Sequence, residues 1–187
     1  MDEGEQDRID RYPAVLRGLH WARAVLILGM ICAGWTMTRM PDEAVAKFGD
    51  FYPLHKSFGL LALLVVLVQL AIRARTRLPY PPAALPRHEA VLAKGVHHAM
   101  YVLLVLVPVM GYSMSSSFTQ SDGVTFFGIP VPELLGKDDR WFAVFQWLHR
   151  VLAYTLLGLI VLHVGGALKH RFLDRDRRAD VLPRMWW

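Results

Sequence analysis

Four stretches of this chain, at about 18–38, 54–72, 92–114 and 141–168, are apolar and contain no aspartate or glutamate. A run of about 20 apolar residues spans the roughly 30 Å hydrocarbon layer of a bilayer as a helix. Inside lipid each backbone amide needs a partner in its own segment, so such runs read as helices. The chain is 54% hydrophobic and also 20% charged, which is consistent only because the charges lie between the apolar runs. The expected fold is all-α, a transmembrane four-helix bundle within one domain of the 187-residue chain. Residues 1–14 form a polar tail, 15–170 the membrane domain and 171–187 a basic tail.

Orientation follows from lysine and arginine in the short flanks. The connector after the second run carries Arg73, Arg75, Arg77, Arg87 and Lys94, and the tail carries Lys169, Arg171, Arg175, Arg177, Arg178 and Arg184. The other two loops balance Arg39, Lys47, Lys137 and Arg140 against Asp42, Glu43, Asp50, Asp122, Glu133, Asp138 and Asp139. Both termini are therefore expected in the cytoplasm. The acidic opening Met1-Asp2-Glu3-Gly4-Glu5 lacks the basic-then-apolar order of a cleaved leader, so the first span is expected to be retained. Trp35, Trp141, Trp147, Trp186 and Trp187 lie near span ends, where tryptophan anchors membrane proteins.

The net charge of +5 is a membrane-surface signal here, because the basic residues border apolar spans. Nucleic acid is not an expected partner, since no basic face is interleaved with aromatics outside the spans. The lone Cys32 excludes a disulfide framework and a covalent Cys-x-x-Cys-His haem attachment.

Histidines then stand out. His20 opens the first span, His55 the second, and His149 and His163 share the fourth. The last two are 14 residues apart, close to four helical turns, so they project from nearly one face about 21 Å apart. Antiparallel order puts His20 at the depth of His163, and His55 at the depth of His149. A histidine inside a membrane span calls for a partner, and one alone is often a packing residue. Four at paired depths fit two haem irons, each held by two imidazoles with no open position, which suits electron transfer. A metal transporter or a proton relay would be expected to add intramembrane carboxylates. His97 and His98 lie near the start of the third span; His97 is a candidate contact for the inner haem edge or a quinone headgroup, and His98 reads as interfacial. His88 and His170 are expected to be exposed or interfacial. Arg23, Arg73 and Arg150 lie near the haem ends and have two readings, as partners of haem propionates or as side chains reaching lipid phosphate.

These features together resemble the bacterial cytochrome b561 family over nearly the whole chain from Tyr12. The markers are Leu19-His20-Trp21, His55-Lys56-Ser57-Phe58-Gly59, the arginine- and proline-rich stretch from Arg73 to Pro86, Pro108-Val109-Met110-Gly111-Tyr112, Val124-Thr125-Phe126-Phe127-Gly128, and Leu148-His149 followed by Leu162-His163. The resemblance implies a dihaem cytochrome of the bacterial inner membrane with the same four histidines as ligands of two b haems. It also implies a histidine near the inner haem at the His97 position. Family members often carry a second arginine one turn before Arg73, where this chain has Gln69. Electron exchange between the quinone pool and an outer partner is implied, with superoxide-to-ubiquinone oxidation as one form. The alternative is a cytochrome subunit serving a dehydrogenase or a periplasmic redox protein.

Overall fold

The structure, a computed structural model, describes residues 11–82 and 84–186. Positions 1–10 of the expected tail, and Trp187, lie outside the described residues. Four long helices dominate: α1 (Ala14–Arg39), α2 (Tyr52–Ala74), α3 (Arg87–Ser117) and α4 (Asp139–Phe172). Each runs past its expected apolar stretch. Most of the added residues are polar or charged, though α1 gains Ala14, Val15 and Leu16 at its start. A short π-helical turn, Lys47–Phe51, leads directly into α2.

Local chemistry sets the helix starts. Pro13 and Pro86 immediately precede α1 and α3, and Pro53 lies in the first turn of α2, where its missing N–H is no loss. Asp138 caps α4 by accepting a hydrogen bond from the Arg140 backbone N–H at 2.8 Å. Pro108 falls inside α3 and removes one helical hydrogen bond there.

The helices run up and down in sequence, and α3 and α4 share the most extensive interface. Val66, Leu103, Leu104 and Leu156 make a buried apolar cluster at mid-height, flanked by Ile27, Leu70, Met100, Leu152, Leu159 and Ile160. The outward faces carry Val25, Leu64, Val102 and Val161, all more than half exposed. So large an apolar surface suits lipid, not water. The four helices are long and apolar enough to cross a membrane.

At one end, the long loop expected between the third and fourth spans contains a β-hairpin, β1 (Val124–Phe126) paired antiparallel with β2 (Ile129–Val131). Its two-residue turn places both Phe127 (φ 48°) and Gly128 (φ 87°) in the left-handed region, the geometry of a type I′ turn. The hairpin sits on the start of α2. Ser57 Oγ donates to the Thr125 carbonyl at 3.0 Å and accepts from the Phe127 N–H at 3.0 Å. Phe127 packs edge-on against Phe58.

The segments around Tyr12 and Trp186 lie at the opposite end. After α4 the chain forms two 3₁₀ turns, Arg177–Ala179 and Leu182–Arg184, and folds back on the bundle. The Tyr12 N–H donates to the Arg184 carbonyl at 3.1 Å, Trp21 Nε1 donates to the Met185 carbonyl at 2.8 Å, and Trp21 meets Trp186 edge-on. Arg184 Nη1 donates to the Tyr80 carbonyl at 2.6 Å. The basic C-terminal segment is thus a strap across the start of α1.

His170 departs from expectation. It is buried, with 8% of its surface exposed. Its Nδ1 is 2.6 Å from Asp174 Oδ2 and its Nε2 is 3.4 Å from Glu89 Oε2, while Lys169 pairs with both carboxylates. The turn after α4 brings Asp174 back beside the helix, which the sequence alone does not reveal.

Candidate functional site: two paired histidine layers

Two histidine pairs form inside the bundle. His20 of α1 faces His163 of α4 near the terminal end, and His55 of α2 faces His149 of α4 near the hairpin end. In both pairs the ring centroids are 6.3 Å apart. An imidazole nitrogen binds a first-row metal at about 2 Å and lies about 1.2 Å from its ring centre, so two rings flanking one metal have centroids about 6 Å apart. Both pairs therefore have the spacing that a bis-imidazole iron requires. All four rings are half-buried.

α3 orients the two α4 histidines. His149 Nδ1 lies 2.9 Å from the Val107 carbonyl. A carbonyl only accepts, so that nitrogen carries the proton and Nε2 keeps its lone pair for a metal. His163 Nδ1 lies 3.1 Å from His97 Nε2. With the proton on His163 Nδ1, the same tautomer results. The partner rings are held differently: Nδ1 of His20 and of His55 is buried with no hydrogen-bond partner. Space is also tailored. A Cβ on Gly111 would come within 3.1 Å of the His149 ring.

Leu156 stands seven residues from each α4 histidine, so the buried cluster of Val66, Leu103, Leu104 and Leu156 separates the two layers. Water and protons have no polar path through those four side chains, whereas an electron tunnels through packed hydrocarbon.

Arg23 is buried at 8% exposure. Its guanidinium carbon is 5.5 Å from the Tyr101 ring centre, and that of Arg73 is 5.6 Å from the same ring. Gln69, one turn before Arg73, is also buried. Arg150 is exposed, as are His88, His97 and His98. His98 Nδ1 is 2.7 Å from the Lys94 carbonyl.

Sequence reasoning did not single out Val107 or Tyr101. Tyr101 lies four residues after His97, on the same helix face, and that spacing was a usable signal. A backbone carbonyl such as that of Val107 leaves no trace in a sequence.

Four membrane-length helices around paired, metal-spaced histidines define a class, the small membrane b-type cytochromes that transfer electrons. A family model described as prokaryotic cytochrome b561 matches residues 11–187, and the chain belongs to that family. It is 30% identical to cytochrome b561 homolog 2 of Escherichia coli K12, over 94% of this chain and 91% of that protein. It is 29% identical to cytochrome b562 of Cereibacter sphaeroides, over 85% of this chain and 86% of that one. Cytochrome b561 homolog 1 of Escherichia coli K12 is 20% identical, over 89% and 93%. The b-type haem of the family fits the donor set: imidazole pairs at iron spacing and no thioether-forming cysteine motif.

Proposed function

We propose that this protein is a dihaem cytochrome of the bacterial inner membrane that carries electrons between the two faces of the bilayer. His20 and His163 hold one haem b, and His55 and His149 hold the other. The carrying observation is the pair of 6.3 Å ring separations at opposite ends of the bundle. Bound haem supplies one-electron redox chemistry. The chain's own residues do the rest. Two imidazoles per site leave no open coordination position, the Val107 carbonyl sets the His149 tautomer, His97 accepts from His163 Nδ1 when that nitrogen carries the proton, and the mid-bundle apolar cluster keeps water out. Following the basic flanks, the terminal end faces the cytoplasm.

The quinone pool is the proposed electron partner in the membrane, with ubiquinone as the expected quinone. Supporting this, His97 is exposed and touches His163, which offers a hydrogen-bonding group to a headgroup arriving from lipid. Two readings of the other partner stand. As a superoxide:ubiquinone oxidoreductase, the chain needs a positive entry at the hairpin end. There Lys47 is paired with Asp42, Lys137 is paired with Glu133, and Lys56 donates to the Gly123 carbonyl. A cytochrome subunit serving a dehydrogenase or a cationic periplasmic protein fits the acidic loops better, because complementary charge favours docking.

The test is a reduced-minus-oxidised visible spectrum of purified protein with haem quantified as the pyridine haemochrome. The expected result is two b haems per chain, with one lost in His55→Ala and the other in His163→Ala. A haem content unchanged by both substitutions would overturn the ligand assignment.

A further inference from the structure

Arg23, inside the bundle, and Arg73, half-buried in the last turn of α2, have no acid to answer them among the described residues. Arg23 lies nine residues into α1, about 14 Å from its start, and is 8% exposed. Its Nη1 is buried with no hydrogen-bond partner. Arg73, from the end of α2, brings a second guanidinium to the same Tyr101 ring, at 5.6 Å against 5.5 Å for Arg23. Among the described residues neither arginine forms an ion pair with a carboxylate. The ring face of Tyr101 attracts cations but supplies no full negative charge. A buried guanidinium with an orphaned donor, beside a second half-buried one, calls for an anion.

The site's position identifies that anion. Arg23 is three residues after His20, and Tyr101 is four after His97, whose ring bonds His163. Both residues therefore share a helix face with the terminal histidine layer. Lipid phosphate lies at the membrane surface, and an arginine reaching for it would be exposed, as Arg75 is. Arg23 instead lies one turn deeper than His20 and is buried.

We propose that Arg23 and Arg73 form a carboxylate-binding site for the propionates of the haem held by His20 and His163. This rests on the dihaem reading above. Guanidinium groups bind carboxylates through paired, charge-assisted hydrogen bonds, which satisfies the orphaned Nη1. Tyr101 keeps the two guanidinium groups apart and oriented. The site distinguishes the two haems, since Arg23 and Arg73 both lie in the terminal half of the bundle, away from His55 and His149.

The experiment is resonance Raman spectroscopy of the propionate bending bands, with midpoint potentials, on the haem-loaded full chain in nanodiscs. Arg23→Gln, Arg23→Lys and Arg73→Gln are compared with Arg75→Gln, in zwitterionic and in anionic lipid. The expected result is a shift of one haem's propionate band in Arg23→Gln and Arg73→Gln, smaller in Arg23→Lys, which keeps the charge but not the paired hydrogen bonds, absent in Arg75→Gln and independent of lipid. The potential of that haem alone should fall, because an uncompensated propionate favours the ferric state. Should Arg23→Gln fail to fold, Arg73→Gln against Arg75→Gln still decides the matter. Unmoved bands in haem-loaded variants would overturn the site alone, and a shift seen only in anionic lipid would reassign the arginines to lipid phosphate. A wild-type chain without haem would overturn the dihaem reading and this site with it.

Discussion

A Cβ built on Gly111 would lie 3.1 Å from both Cε1 and Nδ1 of His149, inside the roughly 3.5–4.0 Å of a good carbon contact. Because His149 Nδ1 is tied to Val107 of the same helix, the ring cannot simply retreat. Gly111→Ala is therefore expected to tilt His149 and lower haem occupancy of the hairpin-end layer, read as haem per chain falling from two toward one. His97 supports the other layer in the same manner. In His97→Phe, Nδ1 of His163 loses its partner, and partners of this kind commonly contribute about 10–100-fold in metal affinity. The expected outcome is faster haem loss from the His20–His163 layer during dilution, with the other haem retained. Unchanged retention would remove His97 from the site. The four candidate histidines stand out in the sequence by apolar context and depth. Their hydrogen-bond partners do not, because one is a backbone carbonyl and the other a histidine with two readings.

At the scale of elements, the mid-bundle cluster and the α3–α4 clasp behave differently. Leu156 is 4% exposed between the two histidine layers. Truncating it to alanine leaves a cavity, with an expected cost of about 2–5 kcal/mol, measured as lower thermal stability with both haems initially bound. The clasp of Glu89, Lys169, His170 and Asp174 ties the start of α3 to the end of α4. His170, hydrogen-bonded to Asp174, and the adjacent Lys169 hold the Asp174 carboxyl below the usual carboxylate range. A lowered folded-state pKa means the stabilisation is full above the ordinary carboxylate value and is lost as pH falls through the folded value. The apparent melting temperature should drop on acidification below about pH 4, and Asp174→Asn should flatten that part of the profile. A profile identical in the variant would exclude the clasp as its source. The hairpin shows a different limit of sequence reading. Val124-Thr125-Phe126 and Ile129-Pro130-Val131 alternate as strands do, but Phe127 is an unusual choice at a positive φ, and its contacts with Ser57 and Phe58 of α2 explain why it is tolerated there.

For the molecule as a whole, the strap places Tyr12 and Arg184 in contact, so the first and last described segments meet on one side of the bundle. On the orientation proposed above from the lysine and arginine distribution, that side faces the cytoplasm. Single cysteines introduced at Arg11 and at Arg175, with Cys32 replaced, should resist a membrane-impermeant thiol reagent in intact cells, while one at Leu134 in the exposed hairpin-end loop should react. Labelling of the two terminal positions and protection of Leu134 would reverse the orientation.

Four apolar runs without a carboxylate committed this chain to a membrane bundle, because a continuous apolar run of about 20 residues satisfies its backbone within a bilayer as a helix. The same patterning set the depths of His20, His55, His149 and His163, since helical rise converts residue number directly into depth. Depth is one coordinate only. Which faces turn inward, how close two rings approach, and where an arginine finds its neighbours depend on helix rotation and on the return of loops and tail, and those follow from packing. Tertiary structure alone therefore decided the 6.3 Å separations, the burial of Arg23 beside Tyr101 against the exposure of Arg150, and the burial of His170 within a clasp.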